Sequence, residues 1–225
     1  MTKKLTTLFA LAVASVTAIA TAHAAEVQGD AQAGAKKIAM CVGCHGIPGY
    51  QATFPEVHKV PMIAGQNAKY IASALDAYRK GDRRHPTMRG IAASLSDQDI
   101  ADLAAYYEQL GKSQTGSTEL PAKPRTEPKP QVAALLQKAA CVSCHGDNFS
   151  KPIDPAYPKI AGQHADYLFV ALKSYKAEPS AVVGRSNPVM GGIAKQFSNA
   201  ELKELANYVG SLDGELRTVP ESRFR

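Results

Sequence analysis

The sequence has no tryptophan, only four cysteines and few aromatic residues, and it lacks the patterns of several common protein classes. No run of about 18 or more apolar residues follows the N-terminal segment, which excludes a bundle of transmembrane helices. The 26 basic residues exceed the 20 acidic ones but are interspersed with them. Without a basic stripe, nucleic acid is a poor candidate as a partner. Alternating apolar and polar residues are also lacking, so no strand is expected.

The first 24 residues have the layout of a secretory signal peptide. Lys3 and Lys4 precede an apolar, alanine-rich run over residues 5–20, and Ala22-His23-Ala24 places small residues at a cleavage point. Such a segment directs export and is then removed. We therefore expect cleavage after Ala24; an uncleaved membrane anchor is the alternative.

One pattern of residues occurs twice in the same order. The segment 41–45, Cys-Val-Gly-Cys-His, returns at 141–145 as Cys-Val-Ser-Cys-His, and Ile-Ala-Gly-Gln at 63–66 returns at 160–163. A repeat of this length means two copies of one fold. Between the copies, residues 113–130 are polar and rich in proline, which predicts an extended linker. We expect a signal peptide over 1–24, one domain at 25–112, the linker at 113–130 and a second domain at 131–225.

Each copy is predicted to be a small all-α domain. Apolar residues at helical spacing and capping residues predict three helices in each copy. The first copy has helices from about Ala31 into Cys41, from about Ala68 to Lys80, and from a capping box at Ser96 to a stop at Gly111; the second has helices from about Gln131 into Cys141, from about Ala165 to Lys176, and from a capping box at Ser198. Such domains bury little on their own, and a large apolar ligand would complete their core.

The spacing Cys-x-x-Cys-His is the attachment motif of c-type haem. The two sulfurs reach two carbons on one edge of the porphyrin, and the following imidazole lies beneath the iron. The sequence therefore predicts two covalently bound haem c groups, one attached to Cys41 and Cys44 with His45 as iron ligand, the other attached to Cys141 and Cys144 with His145 as iron ligand. The alternatives are a redox disulfide and a structural zinc site, but each motif supplies at most three of the four ligands that zinc needs.

The second axial ligand of each iron is predicted to be a methionine. Met88 and Met190 are the methionines that occupy equivalent positions in the repeat, each after Pro-x and before a glycine. A thioether ligand favours ferrous iron and raises its potential. With both axial positions filled, the iron suits electron transfer better than catalysis. Met40 is expected to pack in the interior, and core filling is the alternative for the other two.

Three further histidines are weaker candidates for iron ligands. His58, His85 and His164 have no histidine at the equivalent position of the other copy, and we expect them to be exposed. An axial histidine normally donates its second ring N–H to a carbonyl. Pro61 and Pro158, just ahead of the Ile-Ala-Gly-Gln segments, are the candidate acceptors.

Tyrosines and arginines near the motifs allow two interpretations. Tyr70 and Tyr167 are expected either in the core face of a helix or against a porphyrin or a propionate. Arg89 and Arg185 lie close to the methionines, and we expect them at the surface, with propionate pairing as the alternative.

Two Cys-x-x-Cys-His motifs, each followed by Pro-x-Ile-Ala-Gly-Gln and later by Pro-x-Met, resemble the pattern of the cytochrome c4 family. The resemblance covers essentially the whole mature chain. It implies two tandem class I cytochrome c domains in a periplasmic one-electron carrier that is either soluble or loosely associated with the membrane. The carrier would take electrons from a quinol-oxidising complex or a dehydrogenase and pass them toward a terminal oxidase. An electron-transfer subunit of a dehydrogenase complex is the alternative, and a dihaem peroxidase a third. The first loop, residues 47–61, is longer than the resemblance implies.

Overall fold

A computed structural model describes residues 27–115, 120–178 and 180–221 of the chain. The predicted signal peptide lies outside the described residues. We call residues 27–115 the N-terminal half, 130–213 the C-terminal half and 214–221 the C-terminal tail. The N-terminal half contains α1 (Ala31–Gly34), α2 (Ala39–His45), β1 (Gln51–Ala52), β2 (His58–Lys59), α3 (Ala68–Lys80), β3 (Arg83–Arg84), α4 (Pro86–Ala93) and α5 (Asp97–Thr115). The C-terminal half contains α6 (Pro130–Ala139), α7 (Val142–His145), α8 (Ala165–Lys176), β4 (Gly184–Arg185), α9 (Pro188–Ala194) and α10 (Asn199–Gly210).

The helix after each Ile-Ala-Gly-Gln segment is confirmed in both halves. α3 covers Ala68–Lys80 and α8 covers Ala165–Lys176, which are the predicted spans. α3 ends at Gly81, whose φ of 87° lies in the left-handed region that glycine reaches without strain. These helices carry Tyr70 and Tyr167, and they pack against the last helix of their own half.

The last helix of each half begins at its predicted cap. Ser96 and Asp99 bond each other's backbone N–H, and Ser198 and Glu201 form a complete capping box. The predicted stop at Gly111 is wrong, because α5 continues to Thr115. A Cβ on Gly111 would lie 2.1 Å from the backbone nitrogen of Gly65, so this glycine allows close packing and does not end the helix.

The first predicted helix is broken in the first copy, and in the second copy it ends two residues before Cys141. α1 ends at Gly34, and turns connect it to α2, which begins at Ala39. In the second copy α6 ends because Ala140 takes a left-handed conformation, with φ of 49°. The Cys-x-x-Cys-His segment lies in α2 in the N-terminal half, and all but its first cysteine lie in the short helix α7 in the C-terminal half. The continuous helix expected from about Ala31 into Cys41 is wrong, whereas the helix expected from about Gln131 toward Cys141 is largely confirmed by α6.

Two short antiparallel strand pairs occur among the described residues, although no strand was expected. β1 and β2 form a hairpin inside the long first loop. β3 and β4 belong to different halves, and they pair Arg83 with Arg185. Strands of two residues are too short to produce a sequence periodicity, so the pattern could not reveal them.

Two buried glutamines hold the halves together in a reciprocal way. The carboxamide of Gln66 donates to the carbonyl of Lys159 at 2.9 Å and accepts from its N–H at 2.9 Å. The carboxamide of Gln163 donates to the carbonyl of Met62 at 2.9 Å and accepts from its N–H at 3.0 Å. Met62 and Lys159 are equivalent in the repeat, so the contact is related by an approximate two-fold axis.

The long first loop crosses to the other half. The backbone N–H of Lys59 donates to the carboxylate of Asp166 at 3.0 Å, and Glu56 forms an ion pair with Lys173. His58 lies with its ring centroid 6.2 Å from that of Tyr167. The extra residues of this loop therefore serve the contact with α8.

The C-terminal tail returns to the N-terminal half. The N–H of Arg217 donates to the carbonyl of Ala64 at 2.9 Å, and Val219 packs against the core around Ile38 and Leu103. Leu216, which precedes Arg217 in the tail, is also buried, with 2% of its surface exposed. Among the helices of the described ranges, none has both the length and the apolar character needed to cross a membrane.

Candidate haem sites

The histidine of each motif is held by a backbone carbonyl. Nδ1 of His45 lies 2.8 Å from the carbonyl oxygen of Pro61, and Nδ1 of His145 lies 2.9 Å from that of Pro158. A carbonyl can only accept, so Nδ1 carries the proton and Nε2 keeps a free lone pair. Desolvation lowers the pKa of both imidazoles, which favours the neutral form that binds metals. The prediction that these two prolines accept from the motif histidines is confirmed.

The four cysteines form no disulfide with one another, and all four are half-buried. Cys41 and Cys44 lie one helical turn apart on α2, which places both sulfurs on the same side of the turn. Burial raises the pKa of the Cys141 thiol to about 11. A redox-active cysteine needs a lowered pKa, so this thiol does not suit a redox disulfide.

The zinc alternative finds no support in the described ranges. No group of three or more histidine, cysteine or acidic side chains converges there in a way that could hold a metal ion. The two cysteines and the histidine of a motif therefore do not converge as three ligands of a tetrahedral zinc site would.

Met88 and Met190 occupy the same place in the two halves. Each lies in the first turn of a short helix that begins with a proline, and each is half-buried. The N–H of Met88 donates to Nδ1 of His85 at 3.4 Å, and that of Met190 donates to Oδ1 of Asn187 at 2.9 Å. The equivalent positions 85 and 187 thus cap the helix with different side chains. A capped first turn holds the thioether in a defined place.

The expectation that His58, His85 and His164 are exposed is wrong for His58, which is buried, and the other two are only partly exposed. His58 is 5% exposed, because the loop that carries it packs on the other half, and its Nδ1 lies 2.8 Å from the carbonyl oxygen of Glu56. His85 and His164 are half-buried. His85 is also in use, as the cap of the helix that carries Met88.

Two further expectations have opposite outcomes. Met40 was expected to pack in the interior but is 51% exposed, because the short helix α2 turns it outward. Arg89 is exposed, as expected.

Arg185 was expected at the surface, and this prediction is wrong. Its guanidinium donates to the hydroxyl of Tyr167 at 3.1 Å. Arg83 reaches the same hydroxyl and that of Tyr70, both at 3.3 Å. Tyr70 and Tyr167 therefore meet between the halves and are not confined to the core of one helix pair.

Arg83 was not among the predicted site residues, although the sequence contains a signal for it. Arg83 and Arg185 are 102 residues apart, the same offset that separates Met88 from Met190. The Nε atom of Arg83 is buried and has no acceptor among the described residues. A buried guanidinium nitrogen without an acceptor fits a cofactor that brings carboxylates, as haem does with its propionates. The motif cysteines, the held histidines and this unpaired donor together fit a haem group.

Comparison with known proteins agrees with this geometry. The cytochrome c family model matches the chain twice, at residues 31–111 and 131–213. Cytochrome c4 of Azotobacter vinelandii is 32% identical over 201 residues, covering 85% of this chain and 91% of that protein. The thiosulfate dehydrogenase electron acceptor of Stutzerimonas stutzeri strain A1501 is 31% identical over 190 residues, covering 80% of this chain and 83% of that protein.

A solved structure has the same architecture. The crystal structure of reduced recombinant cytochrome c4 from Pseudomonas stutzeri aligns with a TM-score of 0.58 and 27% identity, covering 82% of this chain and 100% of that one. The fold prediction of two tandem all-α cytochrome c domains is confirmed. The chain therefore belongs to the cytochrome c4 family and is an electron carrier with two covalently bound haem c groups.

Proposed function

We propose that the chain is a periplasmic one-electron carrier of a respiratory chain, and that it delivers electrons toward a terminal oxidase. The observation that carries the proposal is the matched pair of sites. Each half holds its motif histidine through a proline carbonyl and presents a methionine from a capped helix. The haem irons supply the one-electron chemistry, and the protein's task is to hold their ligands in place.

In this proposal the roles of the site residues follow from the repeat. Cys41, Cys44, Cys141 and Cys144 form the thioether bonds to haem, while His45, His145, Met88 and Met190 bind the two irons. The bond from Nδ1 to a proline carbonyl fixes each imidazole and directs Nε2 to the metal. Ligands held this firmly move little between oxidation states, which keeps electron transfer fast.

The same protein is proposed to be exported and processed. We propose removal of residues 1–24, followed in sequence by domains at 25–112 and 131–225 that are joined by the linker 113–130. The helices α5 and α6 extend into the ends of this linker range, and the C-terminal tail of the second domain packs on the first. The mass of protein purified from the periplasm tests this, because a chain that begins at Ala25 and carries two haem groups has a defined mass. An unprocessed chain in the membrane fraction would contradict the proposal.

The ligands are tested by a haem assay and absorption spectra of the mature protein. We expect two covalent haem groups per chain and the weak iron–thioether charge-transfer band at full strength for both. One haem per chain, or a band at half strength, would contradict the assignment. An iron with an open axial position, and with it peroxidase activity, would then become the leading hypothesis.

The destination of the electrons needs a kinetic experiment. The reduced protein is mixed with membranes that contain terminal oxidase, and haem oxidation is followed with and without cyanide, which blocks the oxidase. We expect cyanide to stop rapid oxidation. Oxidation that is slow in both samples would contradict delivery to an oxidase.

A second candidate function is that of electron acceptor for a dehydrogenase. It is favoured by the similarity to the protein named thiosulfate dehydrogenase electron acceptor. Purified thiosulfate dehydrogenase with thiosulfate would then reduce both haems at catalytic concentrations of enzyme. A quinol-oxidising complex as the faster donor would favour the respiratory proposal instead.

A further inference from the structure

The N-cap of the helix that carries Met88 differs from its counterpart in the second copy. The N–H of Met88 donates to Nδ1 of His85 at 3.4 Å, whereas that of Met190 donates to Oδ1 of Asn187 at 2.9 Å. Asparagine is among the preferred N-cap residues and histidine is not. A distance of 3.4 Å also exceeds the usual length of such a hydrogen bond. The cap of the first helix is therefore the weaker of the two, and it depends more on what holds the histidine ring.

An aromatic contact with the long first loop holds that ring. The ring of Phe54 meets the ring of His85 edge to face, with 5.9 Å between the centroids, an arrangement that aromatic pairs prefer. His85 is half-buried, whereas Asn187 is exposed. Because the backbone N–H of Met88 can only donate, Nδ1 of His85 must keep a lone pair turned toward it. The contact with Phe54 therefore supports the ring orientation that the cap requires.

Phe54 lies in the turn of the β1–β2 hairpin, which also reaches the C-terminal half. The hairpin pairs Ala52 with His58, so the turn that carries Phe54 is tied to the residues that follow β2. The N–H of Lys59 donates to the carboxylate of Asp166, on α8, at 3.0 Å. The proline that holds the motif histidine lies 16 residues after it in the first copy and 13 residues after it in the second. The second copy therefore has a shorter loop at the equivalent place.

We propose that His85 is a positioning residue through which the contact between the halves sets the strength of the bond from Met88 to the first iron. Helix α8 of the C-terminal half holds the hairpin, the hairpin holds His85 through Phe54, and His85 holds the first turn that presents Met88. Asn187 caps the other methionine helix directly, so the second iron does not depend on the hairpin. Two sites with the same ligands thus differ in how firmly the methionine is held. The inference rests on the proposed iron ligands.

Imidazole binding to the oxidised holoprotein tests this, because imidazole competes with the thioether for the iron. The charge-transfer band reports the loss of the methionine, and NMR of the haem methyl groups shows at which iron it is lost. In His85→Ala, the affinity of the first iron for imidazole should rise about fivefold, the change in an equilibrium that a lost N-cap typically causes. The second iron should stay as in wild type. Asn187→Ala should show the reverse.

The step from Phe54 to His85 is tested by a second variant and by a rescue. Phe54→Ala should raise the imidazole affinity of the first iron about threefold, as the loss of an aromatic pair would. His85→Asn gives the first copy the cap of the second and should return the affinity to the wild-type value. In the His85→Asn background Phe54→Ala should have no further effect, since the two effects are coupled only through the histidine ring. An equal effect of Phe54→Ala in both backgrounds would contradict this step.

A substitution in the C-terminal half tests the dependence on the contact between the halves. Asp166→Ala removes the acceptor of the N–H of Lys59. It should raise the imidazole affinity of the first iron, which belongs to the other half, and leave the second iron unchanged. Glu204→Ala removes an exposed acidic residue of the same half and is the control for net charge. A change at the second iron alone in Asp166→Ala would contradict the inference.

The inference and the proposed function fail in different ways. Unchanged imidazole affinity in both His85→Ala and Phe54→Ala, with two haems and the complete charge-transfer band, would overturn the inference and leave the proposed function intact. Absence of the band at the first iron of the wild type would instead contradict the proposed ligands. Phe54 is 37% exposed, so Phe54→Ala should fold and decide the question even if His85→Ala does not fold.

Discussion

Gln66 and Gln163 each bind the backbone of the residue four positions before the other. Gln66 bonds both backbone groups of Lys159, and Gln163 bonds both backbone groups of Met62. Each carboxamide thus bonds one backbone N–H and one backbone carbonyl, as a neighbouring β-strand would. The residue that it bonds directly follows the proline whose carbonyl holds a motif histidine. The contact between the halves and the orientation of the two imidazoles depend on the same short segments, 61–66 and 158–163.

Removing one of these carboxamides should loosen the molecule between its halves. In Gln66→Ala, the N–H and carbonyl of Lys159 lose their partners, and we expect a loss of about 2 kcal/mol in the free energy of unfolding. Denaturant unfolding followed by haem absorption and by tyrosine fluorescence provides the measurement. Gln51→Ala, at an exposed position of β1, is the control and should be neutral. A loss in Gln51→Ala as large as that in Gln66→Ala would argue against the interface as its source.

Replacing either repeated methionine should alter one haem only. Met88→Ala removes the proposed thioether ligand of the first iron, so half of the charge-transfer band should disappear and one potential should fall, since a thioether raises the potential. Absorption spectra and a redox titration measure both effects. Met40→Ala is the control, since Met40 is 51% exposed. A complete band in Met88→Ala would exclude Met88 as a ligand.

Asp102 should make the stability of the N-terminal half depend on pH. Its buried carboxylate accepts from the N–H of Asp30 at 2.8 Å and pairs with Lys37 at 2.7 Å, and these contacts lower its pKa. A group with a lowered pKa in the folded state stabilises above its unfolded pKa, about 4, and this contribution is lost as the pH falls through the folded value.

We expect Asp102→Asn to cost about 2 kcal/mol at pH 7 and to flatten the loss of stability below about pH 4. Urea unfolding at several pH values measures this. Asp97→Asn removes a carboxylate that is 70% exposed and should cost about 0.5 kcal/mol or less. An equal pH profile in wild type and Asp102→Asn would show that another group is responsible.

Gly34 should tolerate no side chain. A Cβ at this position would lie 2.2 Å from the carbonyl oxygen of Asp102, so α1 could not keep its place against α5. We expect Gly34→Ala to lower the free energy of unfolding by about 2 kcal/mol or more. Gln32→Ala, at an exposed position of the same helix, is the control for a thermal melt. Equal melting temperatures for Gly34→Ala and wild type would mean that the helices can separate without cost.

The features that sequence predicts well here are those encoded locally. The spans of α3 and α8 follow from apolar spacing over more than three turns, with no competing pattern. The carbonyls of Pro61 and Pro158 were predicted from the general need of a metal-binding histidine for a second partner. Both kinds of information lie within a few residues of the feature that they determine.

The features that the sequence does not reveal depend on contacts between the halves. His58 is buried because the loop that carries it packs on α8, far away in sequence. Arg83 looks like a surface residue, since arginine is almost never fully buried unless it is paired. The burial of its Nε atom becomes evident only when the second half brings Tyr167 to it. The contacts between the two halves are therefore the part of the structure that local sequence patterns could not predict.

Residues 216–219 return to the core of the N-terminal half, and this contact changes the domain topology of the chain. In sequence the domains stand in tandem, but the N-terminal domain is completed by both ends of the described chain, through Ala64, Arg217 and Val219. By its contacts it is a discontinuous domain, with the C-terminal domain inserted in it. A cut in the linker would leave the first domain without a part of its own core, so the two haem domains are not interchangeable modules.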